Sequence, residues 1–310
     1  MSTTGQSIFI KVIGDIRVMN STKDILSTAE MLAHTTVRLA CEHPDGRISI
    51  GTGFFFKCAE NGQEFIPVIM TNKHVIMGAK KGRFLLTLKD NNDNPVVGNT
   101  VPVELDNFES RWYLHPDDSI DLCAMPIAPL LKEAESIGKP VYYVVLDKSL
   151  IPSQEDFSSF DLLEDIVMVG YPIGLWDQVN NLPLFRKGST ASHPAIGWNG
   201  RKEFIIDAAC FPGSSGSPVF MLNKGGFIEK SGSWNIGTSR LYLLGVLWGG
   251  PIYDATGEIK AIPIPTSIGA QVVTTIPTNL GFVLSSTVIQ DIDTYYRNHL
   301  EEQKRGQDGA

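Results

Sequence analysis

Few residues in this chain have the type and setting to do chemistry. Of its six histidines, His34 and His299 fall on predicted helices and His43 in a turn, where structural or solvent-facing roles are expected. His115 and His193 complete the six. His74 differs: it follows the apolar run IPVIM within TNKHVI, at the exit of a buried strand. A strand end is a rigid place from which an imidazole can project into a cleft. Taken alone, a surface or capped histidine is the plainer reading. Asp121 stands directly before the apolar run LCAMPI, whereas Asp117 and Asp118 look like exposed turn residues. A carboxylate entering a buried strand needs a donor, because an unpaired buried charge is costly. An imidazole N–H would serve, although Asp121 could equally be a strand-start turn residue.

The stretch FPGSSGSPVF, residues 211–220, raises the question of a nucleophile. A serine hydroxyl attacks only with a base beside it and with donors aimed at the developing oxyanion. Glycines on both sides let the backbone turn tightly, so that N–H groups converge. Ser215 has Gly213 two residues before it and Gly216 directly after, a spacing that offers the N–H groups of Gly213 and Ser215 as an oxyanion hole. Ser214 has no equivalent arrangement. A lone Gly/Ser loop is ordinarily structural. Three such features in the order His, Asp, Ser carry more than any one of them, and they place a site between two halves of the chain.

The elements that must position these residues are mostly short β runs. A helix is expected from about Ser21 to Ala33, with Ser21 as N-cap. Two β-rich runs then flank Asp45-Gly46, a strong hairpin signal. EFIPVIMT, RFLLTL, PVVGNTVPVEL and LCAMPI follow, bounded by Asn, Gly, Asp and Pro. Residues 128–160 read as a connection containing one strand, VYYVVL. A second β-rich half runs through DIVMVGYP, EFIIDAAC, SPVFML, YLLGVLWGG and GFVLSS. This pattern points to barrels or sandwiches rather than βαβ units. Thr287 to Arg305 reads as a closing helix with Val288, Ile292, Tyr295, Tyr296 and His299 near helical spacing, followed by a frayed tail. The expected divisions are an N-terminal segment (1–20), a helix and first β half with His and Asp (21–135), a second β half with Ser (136–286), and a helix and tail (287–310).

Composition narrows the partners. The 310 residues are 43% hydrophobic, enough for a large core. A net charge of −8 and a pI near 5.3 argue against nucleic acid as the main partner. No run approaches the ~20 apolar residues of a membrane helix, and no secretory signal is read at the N-terminus, so a cytoplasmic location is expected. Cys41, Cys58, Cys123 and Cys210 show no CxxC or zinc spacing. Buried, reduced thiols are expected, with no metal and no cofactor.

The combined motifs resemble those of trypsin-like serine peptidases of the chymotrypsin fold, in the style of the bacterial HtrA/Deg-type protease domain. TNKHV resembles that family's histidine motif, and DLCAMPI its Asp-Leu-Ala strand. DAACFPGSSGSPVF resembles its Asp-Ala-Ala…Pro-Gly-Asn-Ser-Gly-Gly-Pro segment. GTGFFF, VGYPIGL and GFVLSS resemble further strands and loops, so the likeness spans roughly residues 30–290.

The resemblance implies an all-β fold of two antiparallel β-barrels with a short N-terminal and a C-terminal helix. It implies a serine endopeptidase acting on polypeptides, with His74 as general base and acid, Asp121 as its orienting partner and Ser215 as nucleophile. A pocket for the residue before the cut would lie near Ala209, Trp248, Gly249 and Gly250. With no acid at Ala209, small or medium apolar side chains are expected there.

Three departures from the family pattern matter. Ser214 replaces the aspartate of digestive trypsins, so activation by N-terminal cleavage is not implied. Ser217 replaces the second glycine after the nucleophile. No PDZ-like domain is read after the second half. Another class of protein fits the same fold: an inactive module that binds extended peptides by strand addition. Oligomeric state is not legible.

Overall fold

The computed structural model describes residues 26–62, 64–258 and 271–308. The expected N-cap Ser21 lies outside them. Within them, helix α1 (Thr28–Ala33) opens at Ser27, where the Ser27 hydroxyl accepts from Glu30 N and the Glu30 carboxylate accepts from Ser27 N. This reciprocal pairing satisfies two N–H groups that a helix start otherwise leaves bare.

The first half holds β1 (Thr36–Glu42), β2 (Ile48–Asn61), β3 (Glu64–Thr71), the single helical turn α2 (Lys73–Ile76), β4 (Lys81–Lys89), β5 (Pro95–Asp106), β6 (Tyr113–Leu114) and β7 (Cys123–Pro126). These strands form one antiparallel sheet in the order β5-β4-β1-β2-β3-β7-β6. The Asp45-Gly46 hairpin is present, with Gly46 at φ 83° and His43 N donating to Arg47 O. Leu39, Phe55, Ile69, Phe84, Phe108 and Met125 fill this half's core.

The connection departs from expectation. It contains α3 (Ala128–Ser136) and α4 (Gln154–Ser159), but VYYVVL belongs to no sheet. Its backbone is shared out instead. Tyr142 N donates to Thr87 O, Val144 N to His34 O, and Leu146 N to Phe55 O. The run forms a strap tying β4, the end of α1 and β2 together. Its β-forming residues hold an extended backbone that makes only isolated bridges, Val141 with Leu88 of β4 and Leu146 with Phe56 of β2.

The second half comprises β8 (Asp165–Gly170), β9 (Leu184–Thr190), β10 (Glu203–Asp207), β11 (Pro218–Asn223), β12 (Gly226–Ile228), β13 (Trp234–Ile236), β14 (Arg240–Gly249), β15 (Ile252–Glu258), β16 (Gln271–Pro277) and β17 (Leu280–Ser285). Six of these close a barrel, β10-β17-β14-β11-β8-β9, while β12-β13 and β15-β16 are separate hairpins. Ile166, Met168, Phe204, Ile206, Leu244 and Val283 pack inside the barrel. The all-β, chymotrypsin-like architecture is therefore present, with hydrogen-bonded closure in the second half and an open strand order in the first.

A third core joins the halves. Phe54, Met70 and Leu122 of the first meet Val169, Phe220 and Leu284 of the second, together with Val288, Ile289, Ile292 and Tyr296 of α5 (Thr287–Asp308). The closing helix runs through Gly306, Gln307 and Asp308, which the sequence placed in the frayed tail. Its buried stripe includes Ile289 in place of Tyr295, which is exposed, and the side chain of His299 lies outside the described residues.

Candidate active site

The exit of β3 delivers His74 as expected. Thr71 ends the strand, Asn72 caps α2, and His74 sits in that single turn with an exposed imidazole. Asp121 stands two residues before β7, and β7 pairs with β3 through Thr71 and Cys123. The two residues are thus brought together by adjacent strands. Asp121 grips His74 twice: His74 Nδ1 lies 2.5 Å from one carboxylate oxygen, and His74 N donates to the other at 3.1 Å. Buried Asn72, which the sequence reading passed over, donates from its amide to the Asp121 carbonyl at 2.7 Å.

On the other side of the cleft, the loop 211–217 leads into β11. Gly213 and Gly216 have φ of 89° and 86°, the left-handed region that favours glycine. A Cβ at Gly216 would lie 1.9 Å from Thr52 O, so no side chain fits there. Ser214 has its hydroxyl buried without a partner, which excludes it as an attacking group, whereas Ser215 is half-exposed. Among the described residues, the N–H groups of Gly213 and Ser215 have no hydrogen-bond partner in the protein. They are the donors the spacing singled out. No hydrogen bond joins the Ser215 hydroxyl to His74.

The loop is held by a residue that sequence reasoning did not single out, Thr52 on β2. Its N–H donates to Ser215 O at 2.8 Å and its hydroxyl to Gly213 O at 3.0 Å. The same hydroxyl accepts from Tyr171 N and from the Ser217 hydroxyl, both at 3.2 Å. Thr71, three residues before His74, donates to Thr52 O at 2.7 Å. A chain of bonds therefore runs from the Ser215 loop to the strand that leads to His74. The one visible clue was the flanking glycines of GTG. Gly51 and Gly53 sit where a Cβ would strike Val75 and Ile69 side chains, so the strand lies pressed against its neighbours.

The turn after β8 supports the loop from below. Ile173 N donates to Pro212 O, and Arg38 secures Gly174 O at 3.1 Å while its guanidinium lies 4.0 Å from the Trp176 ring centroid. Ile173 has φ 48°, a conformation costing a β-branched residue about 1–3 kcal/mol.

The expected substrate pocket is assembled from distant segments. Trp248 stacks on Phe282 with centroids 5.5 Å apart, and its indole N–H donates to buried Glu203 at 3.0 Å. Gly249 borders open space, and Gly250 packs close to Leu280 O. A Cβ on Gly281 would collide with Cys210 and Leu247, which brings the wall at Ala209–Phe211 beside the wall at Trp248.

All four cysteines are free. Burial pushes the Cys41 thiol up to about 12 and Cys210 up to about 11, and raises Cys58 and Cys123 well above the usual thiol range. None is therefore a ready thiolate nucleophile.

An imidazole–carboxylate pair on one β half, facing a glycine-bounded serine on the other, is the layout of a chymotrypsin-fold peptidase domain. A family model of the trypsin-like peptidase domain matches residues 51–228, more than half of the chain, and the chain belongs to that family. Similar solved structures include the HtrA-type protease AlgW with a tripeptide: 15% identity, 87% of this chain and 62% of that chain covered, TM-score 0.43. Another is the inactive form of the Rv3671c protease of M. tuberculosis H37Rv: 18% identity, 84% of this chain and 87% of that one, TM-score 0.38. No curated protein matches.

Proposed function

We propose that this protein is a serine endopeptidase that hydrolyses peptide bonds through His74, Asp121, Ser215 and an acyl-enzyme. The observation that carries the reading is the double contact of Asp121 with His74, to Nδ1 at 2.5 Å and to the backbone N–H at 3.1 Å. It fixes Nδ1 as the protonated nitrogen and leaves Nε2 free to accept a proton. In the proposed reaction Ser215 Oγ adds to the peptide carbonyl as His74 Nε2 takes its proton. The oxyanion is received by the N–H groups of Gly213 and Ser215, donors worth about 10²–10³ in rate each. His74 then protonates the leaving amine, and water, deprotonated by the same nitrogen, cleaves the acyl ester. The absent Ser215–His74 hydrogen bond is compatible with this role, because catalytic contacts of this kind are often long before substrate binds and tighten with it.

That missing bond also favours the second reading, an inactive peptide-binding module. A fluorophosphonate probe separates the two. Covalent labelling of the wild type that is lost in Ser215→Ala supports the endopeptidase. A folded wild type that resists labelling and leaves casein intact supports the binder.

A further inference from the structure

The expectation of an apolar pocket rested on the lack of a charge at Ala209. The fold brings a charge there from elsewhere. Arg186 on β9 donates from Nη1 to the Ala209 carbonyl, and its guanidinium carbon lies 4.8 Å from the centroid of the Phe211 ring. These partners are the walls of the loop that leads to Ser215.

Register places the side chain on the pocket side. Arg186 is directly opposite Met168 in the β8–β9 ladder, and paired residues share a face of the sheet. Met168 faces the barrel interior together with Ile206 and Leu247, and Cys210 packs against that same group. Arg186 therefore enters the mouth of the barrel, where Cys210, Leu247 and Gly281 meet. Its neighbour Lys187 points the other way and pairs with Asp165 on the surface at 3.2 Å.

Arg186 has no carboxylate partner among the described residues. One of its five N–H donors goes to Ala209, and the Phe211 face steadies the plane without using an edge. Burial lowers its pKa, which reflects the incomplete solvation of the charge. The remaining N–H donors of this half-buried guanidinium are left for water or for an anionic group that enters the space beside it. The acyl residue of a substrate, its carbonyl held by Gly213 and Ser215, would direct its side chain between the 209–213 and 247–250 walls.

We propose that Arg186 is the specificity-determining residue, and that the residue whose carbonyl is attacked carries an acidic side chain, Asp or Glu. This rests on the site described above being the peptide-cleaving one. It replaces the apolar preference expected from Ala209 alone.

The test uses binding, so that it does not depend on turnover. Peptides of sequence acetyl-Ala-Ala-Pro-X with a free C-terminus, X being Glu, Asp, Gln, Leu or Lys, are titrated calorimetrically into the Ser215→Ala protein at pH 7. Glu or Asp is expected to bind at least about tenfold tighter than Gln, the scale of one charge-assisted hydrogen bond, with Lys weakest. Adding Arg186→Gln should bring the Glu/Gln ratio close to one, and Arg186→Lys should retain part of it. Equal or tighter binding of Leu, or an unchanged Glu/Gln ratio in Arg186→Gln, overturns the proposal. The wild-type-pocket comparison stands even where Arg186→Gln fails to fold. Fluorophosphonate labelling of the unmodified protein is run in parallel. Labelling without acidic preference sinks the role of Arg186 alone, while acidic preference without labelling sinks the endopeptidase and leaves the anion pocket standing.

Discussion

The two β halves hold the proposed catalytic groups in different ways. The first carries His74 and Asp121 on neighbouring strands, and every bond that orients the pair comes from that half. The second closes as a barrel, yet the loop bearing Ser215 depends on Thr52 of the other half for its shape. The His74–Asp121 pair is thus locally determined, while the Ser215 loop takes part of its support from its own half, through Leu247 and Ile173, and part from Thr52 across the cleft. Barrel closure rigidifies strands; it does not by itself fix a loop projecting from the rim.

The largest expected effect comes from separating the halves. α5 buries Val288, Ile289, Ile292 and Tyr296 in the shared core, and Asp293 accepts from Ala59 N of β2. Four such side chains contribute about 1.5–3 kcal/mol each, a sum comparable with the ~5–15 kcal/mol stability of a whole domain. A chain ending at Ser286 should therefore lose cooperative thermal unfolding in calorimetry. A sharp transition in that truncated chain would show that the halves do not need their common core.

Next is Asp121→Asn, which removes the grip on His74 but touches nothing in the second half. The imidazole is then free to take the wrong tautomer, and kcat should fall about 10⁴-fold with little change in melting temperature. A loss below about tenfold would mean that Asp121 does not orient His74.

Acidification should act on the first half through His34, which burial holds at about 4. The unfolded histidine has a pKa near 6.5, so the unfolded state takes up a proton that the folded state refuses. Stability is unaffected above about 6.5, falls as pH drops from there towards 4, and levels off below. The loss over that window is roughly 3 kcal/mol. His34 caps α1 and packs edge-on against Tyr142 of the strap, with centroids 5.0 Å apart. Hydrogen exchange at pH 5 should therefore accelerate first around α1 and the strap, and His34→Phe should abolish that step.

The smallest effect is expected for Thr52→Val, which keeps shape and deletes the hydroxyl. Gly213 O loses a donor, and the cost in stability is about 1–3 kcal/mol. Fluorophosphonate labelling should slow, while the low-field His74 Nδ1 proton resonance stays in place. Displacement of that resonance would mean that the pair is not autonomous after all.

What could be read along the chain was whatever is contiguous. Phe211 to Phe220 holds the turn glycines, the exposed hydroxyl and the donors in one run, and the His and Asp segments announce themselves as strand ends. What could not be read lies in pairings between remote residues. Thr52 meets Gly213 across 161 positions, and Arg186 meets Ala209 across 23, on a barrel closure that no local pattern encodes. VYYVVL misleads for the same reason: its composition specifies an extended backbone, but only the fold decides that α1, β2 and β4 share its bonds.

The position of α5 also bears on the chain's own synthesis. Translation releases His74, Asp121 and Ser215 in turn, but the core that docks their two halves is complete only after Tyr296 has been added. A ribosome holding the chain short of that point carries all three groups without the α5 side chains that complete the core between the halves. In that sense the last helix supplies the final layer of the core between the halves, after every residue of the candidate site has been made.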